Sequence, residues 1–405
     1  MLTNLLAWSR KEPIRRTFGY YSVFLCLGLA AGIVGPTLPS LAAQTSAPLA
    51  NMGLLFLVGS AAYTIGVVVA GRVLDRLRGH PVLGVAQLCQ GLIFFLIPLA
   101  SRFWLLLGLF ALRGVAESFI LTGSNTLMIW THGEKVSPFI NGLHFFFGLG
   151  AFISPLLVAQ VVGASAGYYW AYWALGVFML LVGLRMLALP GSPRPIFQQS
   201  PEKTEASPAG VGIFHPFVLS AALFLFFYVG AEVSFSGWLY TYAVTLKLVN
   251  AAGAAYVTSA FWLAFTIGRL ISIPVAVRFT PKQVLPLASC GCLAILALVI
   301  ILHSSVGLLW LLAIGLGFCM APIWPTGFTL AGQSINMTGR ISGVVLVGDS
   351  LGGMVLPWLA GQVIGTAGAQ VIIYLVCGAM LLNFISFAGM LNFRPKNLPR
   401  QNLSG

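Results

Sequence analysis

Three acids stand inside long apolar runs, where an ionised group needs a reason to exist. They are Glu117, Glu232 and Asp349. A charge at the centre of a bilayer costs ~2.5–3.5 kcal/mol on insertion scales, so each is a functional candidate. Glu117 has an obvious partner, because Arg113 lies four residues earlier and shares its helix face. The pair either clamps its helix to neighbours or presents a carboxylate whose protonation the guanidinium tunes, as a contact for a solute or a coupling ion. Glu232 lies in YVGAEVSFSGW, between Gly230 and Gly237. The glycines predict a helix that unwinds beside the acid, as in many carrier sites; the bland alternative is an acid snorkelling near a helix end. Asp349, in VGDSLGG, has no base nearby in sequence. It reads as a proton carrier or a lock between bundles, or simply as a hydrogen-bonding group between helices.

Uncharged groups cluster near these acids. Asn125 follows Glu117 on one run, and Asn141 and His144 lie on the next. Gln87 and Gln90 are three apart, hence on one helix face, where hydrogen bonds between helices are the expected role. A lone histidine such as His144 is more often a packing group than a ligand. Trp238, Trp262 and Trp324 lie deep in their runs, unlike Trp104, Trp130, Trp170 and Trp310, which suit interfacial anchors. Flat aromatic faces beside amides and carboxylates suit a pyranose, whose C–H face stacks while its hydroxyls hydrogen-bond. The candidate solute contacts are therefore Glu232, Asn125, His144, Trp262, Trp324, Asn141 and Trp238. Arg113, Glu117 and Asp349 are the candidates for coupling to H+ or Na+.

These residues must be positioned by membrane-spanning helices. The chain has 405 residues, 59% hydrophobic and only 7% charged, with mean hydropathy +0.96. A soluble domain carries about 25% charged residues. Runs long enough to span fall at 18–42, 53–74, 81–101, 104–130, 137–162, 167–189, 214–245, 251–276, 283–302, 306–332, 341–364 and 369–393. The +13 net charge is loop charge rather than a nucleic-acid surface. With the N-terminus inside, 18 of the 21 Lys and Arg fall on the inner side and two, Arg102 and Lys247, on the outer. That split obeys the positive-inside rule and places both termini in the cytoplasm. The polar segment 190–212 reads as a linker between a six-helix bundle over 1–189 and a second over 213–405. Gly150 precedes Pro155 by five residues and Gly352 precedes Pro357 by five, at matching places in the two halves. These echoes fit an internal repeat. The six cysteines all lie in apolar runs and read as packing residues. No GxxxxGK[ST], HExxH or GxSxG is present, and no cofactor is expected.

The stretch Gly71-Arg-Val-Leu-Asp75-Arg76 resembles the GxxxDR signature between spans 2 and 3 of the major facilitator superfamily, although Arg78-Gly79-His80 replaces that family's usual continuation. The resemblance implies a gate latch at Gly71, Asp75 and Arg76. Arg269, which follows Gly268 after span 8 as Arg72 follows Gly71 after span 2, joins them as its echo. Further stretches are similar to one branch of the family, that of the fucose permeases and sodium-dependent glucose transporters. They are GPTLPSLA at 35–42, LTGSNTLMIW at 121–130, NGLHFFFGLGAFISP at 141–155, YVGAEVSFSGWLYTYAV at 228–244 and WPTG at 324–327. Where branch members often carry an acid just before the TG of span 4, this chain has Leu121. The resemblance implies an all-α integral membrane fold, twelve helices in two pseudo-symmetric six-helix bundles, with spans 1, 4, 7 and 10 around a central cavity. The expected function is secondary transport of a sugar or similar small polar solute by alternating access, with membrane lipid as the surroundings and no enzyme chemistry. A proton-coupled exporter of amphipathic solutes is the alternative; a non-transporting receptor or lipid scramblase is the alternative of another class. Short loops without an outer glycosylation site point to a bacterial inner membrane.

Overall fold

The computed structural model describes residues 2–164, 167–189, 191–193, 212–302, 305–335 and 337–395, and all regular structure among them is helical. Twelve stretches are long and apolar enough to cross a membrane. They are built from α1 (Leu2–Gln44), α2 (Gly53–Arg76), α3 (Gly79–Leu96), α4 (Phe103–His132), α5 (Ser137–Gly163), α6 (Tyr169–Leu187), α7 (Pro216–Thr245), α8 (Ala251–Arg278), α9 (Pro281–Leu302), α10 (Val306–Met320), α11 (Ile323–Ser334), α12 (Gly339–Ala367) and α13 (Val371–Asn392). The expected spans are all present. The charged N-terminal stretch is helical too, continuing α1 back to Leu2. Most of the expected linker over 190–212, with Arg194 and Lys203, lies outside the described residues, as do Lys396 and Arg400.

Without a hydrophobic drive between helices in lipid, close packing depends on small residues that let backbones meet. The tightest crossings recur in the two halves. On α1 against α5, a Cβ at Gly28 would stand 1.9 Å from the Phe147 carbonyl oxygen, and one at Gly150 would stand 2.2 Å from that of Leu25. On α7 against α12, a Cβ at Gly352 would stand 2.0 Å from the Phe226 oxygen, and one at Gly348 2.2 Å from that of Ala222. Span 1 thus meets span 5 as span 7 meets span 11, through the glycines that the sequence places in register.

Span 10 is the one that breaks. It divides into α10 and α11 around Ala321 and Pro322. Pro322 and Pro325 lack the N–H groups that would donate to the carbonyls four residues earlier, so the ladder fails there. The Met320 carbonyl, at the end of α10, accepts a hydrogen bond from the Tyr228 hydroxyl at 2.8 Å. The expected break in α7 does not occur, for that helix is continuous past Glu232. Gly230 instead admits the Leu356 side chain of α12, and Gly237 admits the Phe56 ring of α2. Both glycines serve close packing rather than unwinding.

The helix ends form two sets. The start of α1 and the end of α13, with exposed Arg72, Arg76, Arg78, Lys282 and Arg340, lie at one end, the basic end. At the other, far end the halves touch. Gly53 of α2 meets the Trp358 backbone of α12, a Cβ there standing 2.8 Å from its oxygen. Gln362 Nε2 donates to the Ala50 oxygen at 3.2 Å, and Gly35 of α1 abuts the Ser236 and Gly237 carbonyls of α7. α5 and α8 are joined by Ser259 Oγ to the Phe152 oxygen at 2.5 Å and by Gln160 Nε2 to the Tyr256 hydroxyl at 2.9 Å. Among the described residues, nothing comparable closes the basic end.

Inside the first six helices, Gln87 and Gln90 of α3 are 0% exposed. Among the described residues, neither amide atom of Gln87 has a hydrogen-bond partner, nor has Gln90 Oε1 or Ser124 Oγ of α4. The sequence-level expectation of bonds between helices holds only for Gln90 Nε2, 3.5 Å from Glu117 Oε1. An orphaned buried polar atom costs ~1–3 kcal/mol, so four of them together would consume much of the ~5–15 kcal/mol by which a protein is stable.

Candidate solute-binding cavity

The open basic end leads into a cavity of two connected compartments. The outer one, about 540 Å³, is lined by Asn141, Thr326, Thr329 and Gln333 among others. The deeper one, about 470 Å³, is lined by Tyr63, Arg113, Glu117, Glu232, Trp262 and Asp349 among others. They share His144, Phe147, Arg269 and Trp324, which form the throat between them. Volumes of this size suit a small solute.

Span 10 supplies the central aromatic wall. The Trp324 indole stacks on Phe328 one turn along α11, with centroids 5.4 Å apart and planes 5° apart. Its Nε1–H donates to Asp349 Oδ1 of α12 at 2.6 Å. Facing it, Trp262 lies edge-on to Phe147, centroids 6.2 Å apart. His144 is held edge-on against Phe24. Glu232 reaches the deep compartment from the middle of α7, one turn after Tyr228.

On α4 the Arg113–Glu117 pair forms as the spacing predicts. Arg113 Nε and Nη2 both donate to Glu117 Oε1, at 2.8 and 2.7 Å. Nη2 also donates to the Ala30 carbonyl of α1 at 3.0 Å, so the guanidinium both neutralises the acid and ties span 4 to span 1. The pair still borders the cavity.

Of the expected solute contacts, Glu232, His144, Trp262, Trp324 and Asn141 line the cavity. Two do not. Asn125 lies outside both compartments and donates to the Leu121 carbonyl of its own helix at 2.9 Å. Trp238 is 0% exposed and donates to the Pro357 carbonyl at 3.0 Å, as a structural tie between α7 and α12. The expected latch is not assembled in this conformation. Asp75 and Arg76 are exposed, and a Cβ at Gly71 would meet nothing within 4 Å. Arg269 departs from its expected loop position. It sits within α8, nine residues before its end, lines both compartments and lies over the Phe265 ring at 4.6 Å. It makes no ion pair with a described carboxylate. The sequence reading missed Tyr63, Phe147 and Tyr228, and with them the break in span 10. Pro322 and Pro325, three residues apart, were only a partial signal for it, since Pro36 and Pro39 have the same spacing inside the continuous α1.

A family model described as Major Facilitator Superfamily matches residues 20–353. The chain is a member of that superfamily. Within it the chain is similar to curated transporters from vertebrates. It is 26% identical to sodium-dependent glucose transporter 1A of Mus musculus over 94% of this chain and 97% of that protein. With sodium-dependent glucose transporter 1 of Xenopus laevis it is 29% identical, over 83% of this chain and 73% of that protein. Among solved structures it superimposes on a D-xylose-proton symporter with a TM-score of 0.76 at 14% identity, covering 96% and 99% of the two chains. With the nucleoside transporter NupG the TM-score is 0.75 at 15% identity, covering 93% and 99%. The architecture is accordingly the major facilitator fold, twelve spans in two pseudo-symmetric six-helix bundles, and this integral membrane protein is a transporter rather than an enzyme.

Proposed function

We propose that this transporter carries a sugar or closely similar polyhydroxy solute by alternating access. The observation that supports the reading best is the lining of the deep compartment. Two indole faces, Trp262 and Trp324, stand there beside the acids Glu232 and Asp349 and the imidazole of His144, the mix of flat apolar and hydrogen-bonding surface that a pyranose fits. The names of the glucose-transporting relatives support the same solute class. We assign Glu232 and His144 to solute hydroxyls, Trp262 and Trp324 to stacking, and Asn141 to the entrance.

By the positive-inside rule the basic end is the cytoplasmic one, in a bacterial inner membrane on the evidence of the short loops. The conformation is then open to the cytoplasm and sealed outside, with both termini inside. Coupling to a cation gradient, H+ or Na+, is assigned to the membrane acids, and the latch residues Gly71, Asp75 and Arg76 to the opposite, inwardly closed conformation.

Counterflow of labelled glucose, fucose and xylose in proteoliposomes tests the reading, followed by accumulation under imposed proton and sodium gradients. Saturable exchange of at least one sugar is expected. A protein that exchanges none of them, although it binds purified lipid and remains monodisperse, is not a sugar carrier.

A further inference from the structure

Of the unpartnered polar atoms in the first six helices, Ser154 Oγ is on α5 and Arg16 Nε on α1, but the other four, on Gln87, Gln90 and Ser124, are not scattered. His80, Gln87 and Gln90 are spaced seven and three along α3, and therefore share one face. Glu117 and Ser124 are seven apart on α4 and share another. The two helices run antiparallel in a register fixed by packing. A Cβ at Gly79 would meet Leu127 and one at Gly123 would meet Leu83, while Gln90 reaches Glu117. The two polar faces therefore meet along one seam, and α1 covers it, through Tyr20 at His80 and Ala30 at Arg113.

The seam runs from mid-membrane to the basic end. At its inner end stand Glu117 and Arg113. Then come Gln90, Gln87 and Ser124, each 0% exposed, with the four orphaned atoms described above. At its other end the Tyr20 hydroxyl is 2.8 Å from His80 Nε2. His80 Nδ1 is 3.3 Å from the Leu189 carbonyl, which only accepts, so Nδ1 carries the proton and Nε2 receives the Tyr20 O–H. Beyond lie the Arg16–Glu12 pair and the His132–Thr17 contact. Gln87, Gln90 and Ser124 border neither cavity compartment, whereas Glu117 does. Buried polar atoms without protein partners are ordinarily satisfied by internal water, each molecule taking two to four bonds.

We propose that His80, Gln87, Gln90 and Ser124 line a buried file of water between α1, α3 and α4 that gives protons access to Glu117 from the basic end, behind the solute cavity. A hydronium at the inner end of the file gives its proton to a Glu117 carboxylate oxygen and remains as water. Glu117, neutralised, then releases Arg113. Protons and solute thus reach the midplane by separate routes that meet at one side chain. The proposal rests on the transport reading for its purpose but not for its existence.

Radiolytic hydroxyl-radical footprinting of the purified full chain reads the water itself. In Gln87→Met the introduced thioether is oxidised at a rate within about threefold of an exposed methionine if the file is wet, although the position is buried. A rate at least tenfold lower overturns the proposal. Proteoliposomes carrying Gln87→Leu with Ser124→Ala, or Ser124→Ala alone should the first misfold, read its use. Sugar counterflow is retained, and accumulation driven by a pH gradient falls at least fivefold. Accumulation equal to that of the unaltered protein overturns the proposal, as does an unaltered protein that exchanges sugar without answering a pH gradient. An unaltered protein that exchanges no sugar at all counts against the transport reading alone, and the footprint still decides whether water occupies the seam.

Discussion

The Trp324 indole and the Asp349 carboxylate, on α11 and α12, are joined by a hydrogen bond of 2.6 Å within the wall of the cavity. The aromatic face offered to a solute is thereby set by an acid. A charge-assisted bond of this kind contributes ~1.5–3 kcal/mol, enough to hold one ring orientation. Asp349→Asn keeps an accepting oxygen and should leave the sugar KM within about threefold; Asp349→Leu removes it and should raise KM about tenfold, since tenfold is ~1.4 kcal/mol. In a Trp324→Phe background the two replacements should become equivalent. Equal damage from Asn and Leu in the unaltered background would mean that the charge, rather than the ring it orients, is what matters.

Arg113 and Glu117 should behave as a unit. Breaking a buried ion pair by removing one partner costs ~3–5 kcal/mol, whereas removing both is often neutral. Arg113→Met should therefore lower the melting temperature in detergent markedly, and Arg113→Met with Glu117→Leu should recover most of the loss. Additive losses would show that each residue is held by other contacts.

The far-end seal makes a crosslinking experiment specific. A Cβ built at Gly365 stands 3.7 Å from the Ala50 Cβ, close to the ~3.8 Å mean of disulfides. Ala50→Cys with Gly365→Cys should oxidise readily, abolish counterflow, and regain it on reduction. Crosslinked protein that still exchanges sugar would rule out opening of this seam during transport.

Glycines at matching positions should differ sharply in tolerance. Gly150→Val and Gly352→Val place side-chain atoms against main-chain carbonyls and should cost well over ~3 kcal/mol, seen as loss of monodisperse protein. Gly71→Ala, which meets nothing within 4 Å, should stay within the ~0.5 kcal/mol typical of unconstrained sites. Any slowing of transport by Gly71→Ala at unchanged stability would be the signature of contact in the other conformation.

Trp238→Phe should lower stability by ~1 kcal/mol through the lost bond to Pro357 and leave the sugar KM unchanged. A rise in KM of tenfold would return Trp238 to the solute site.

The spans, their number and the Arg113–Glu117 pair were legible because each depends on local information: hydropathy over one helix length, or four residues along one face. The Trp324–Asp349 bond was not, since the partners are 25 residues apart on different helices and neither residue type announces the other. The misplaced helix break has a different origin. A glycine that permits unwinding and a glycine that admits a neighbour's side chain look alike in sequence, and Gly230 and Gly237 are of the second kind. Proline is hardly less ambiguous: Pro155, Pro274 and Pro357 sit inside continuous helices, as does the pair Pro36 and Pro39, so Pro322 and Pro325 did not by themselves announce the break. Asn125 and Trp238 failed as solute contacts for a simpler reason: depth along a helix was readable, but the side of the helix turned to the cavity was not.

Where the halves meet at the far end, peptide groups rest on peptide groups: Gly35 on Ser236 and Gly237, Gly53 on Trp358, Gly361 on Ala50. Unlike the side-chain bonds of Gln362 and Gln160 nearby, these glycine contacts have no rotamers of their own to repack when they part. One methyl group added there acts as a wedge, and replacing any of these glycines by alanine should bias the resting population toward the opposite conformer, making that otherwise fleeting shape available for capture.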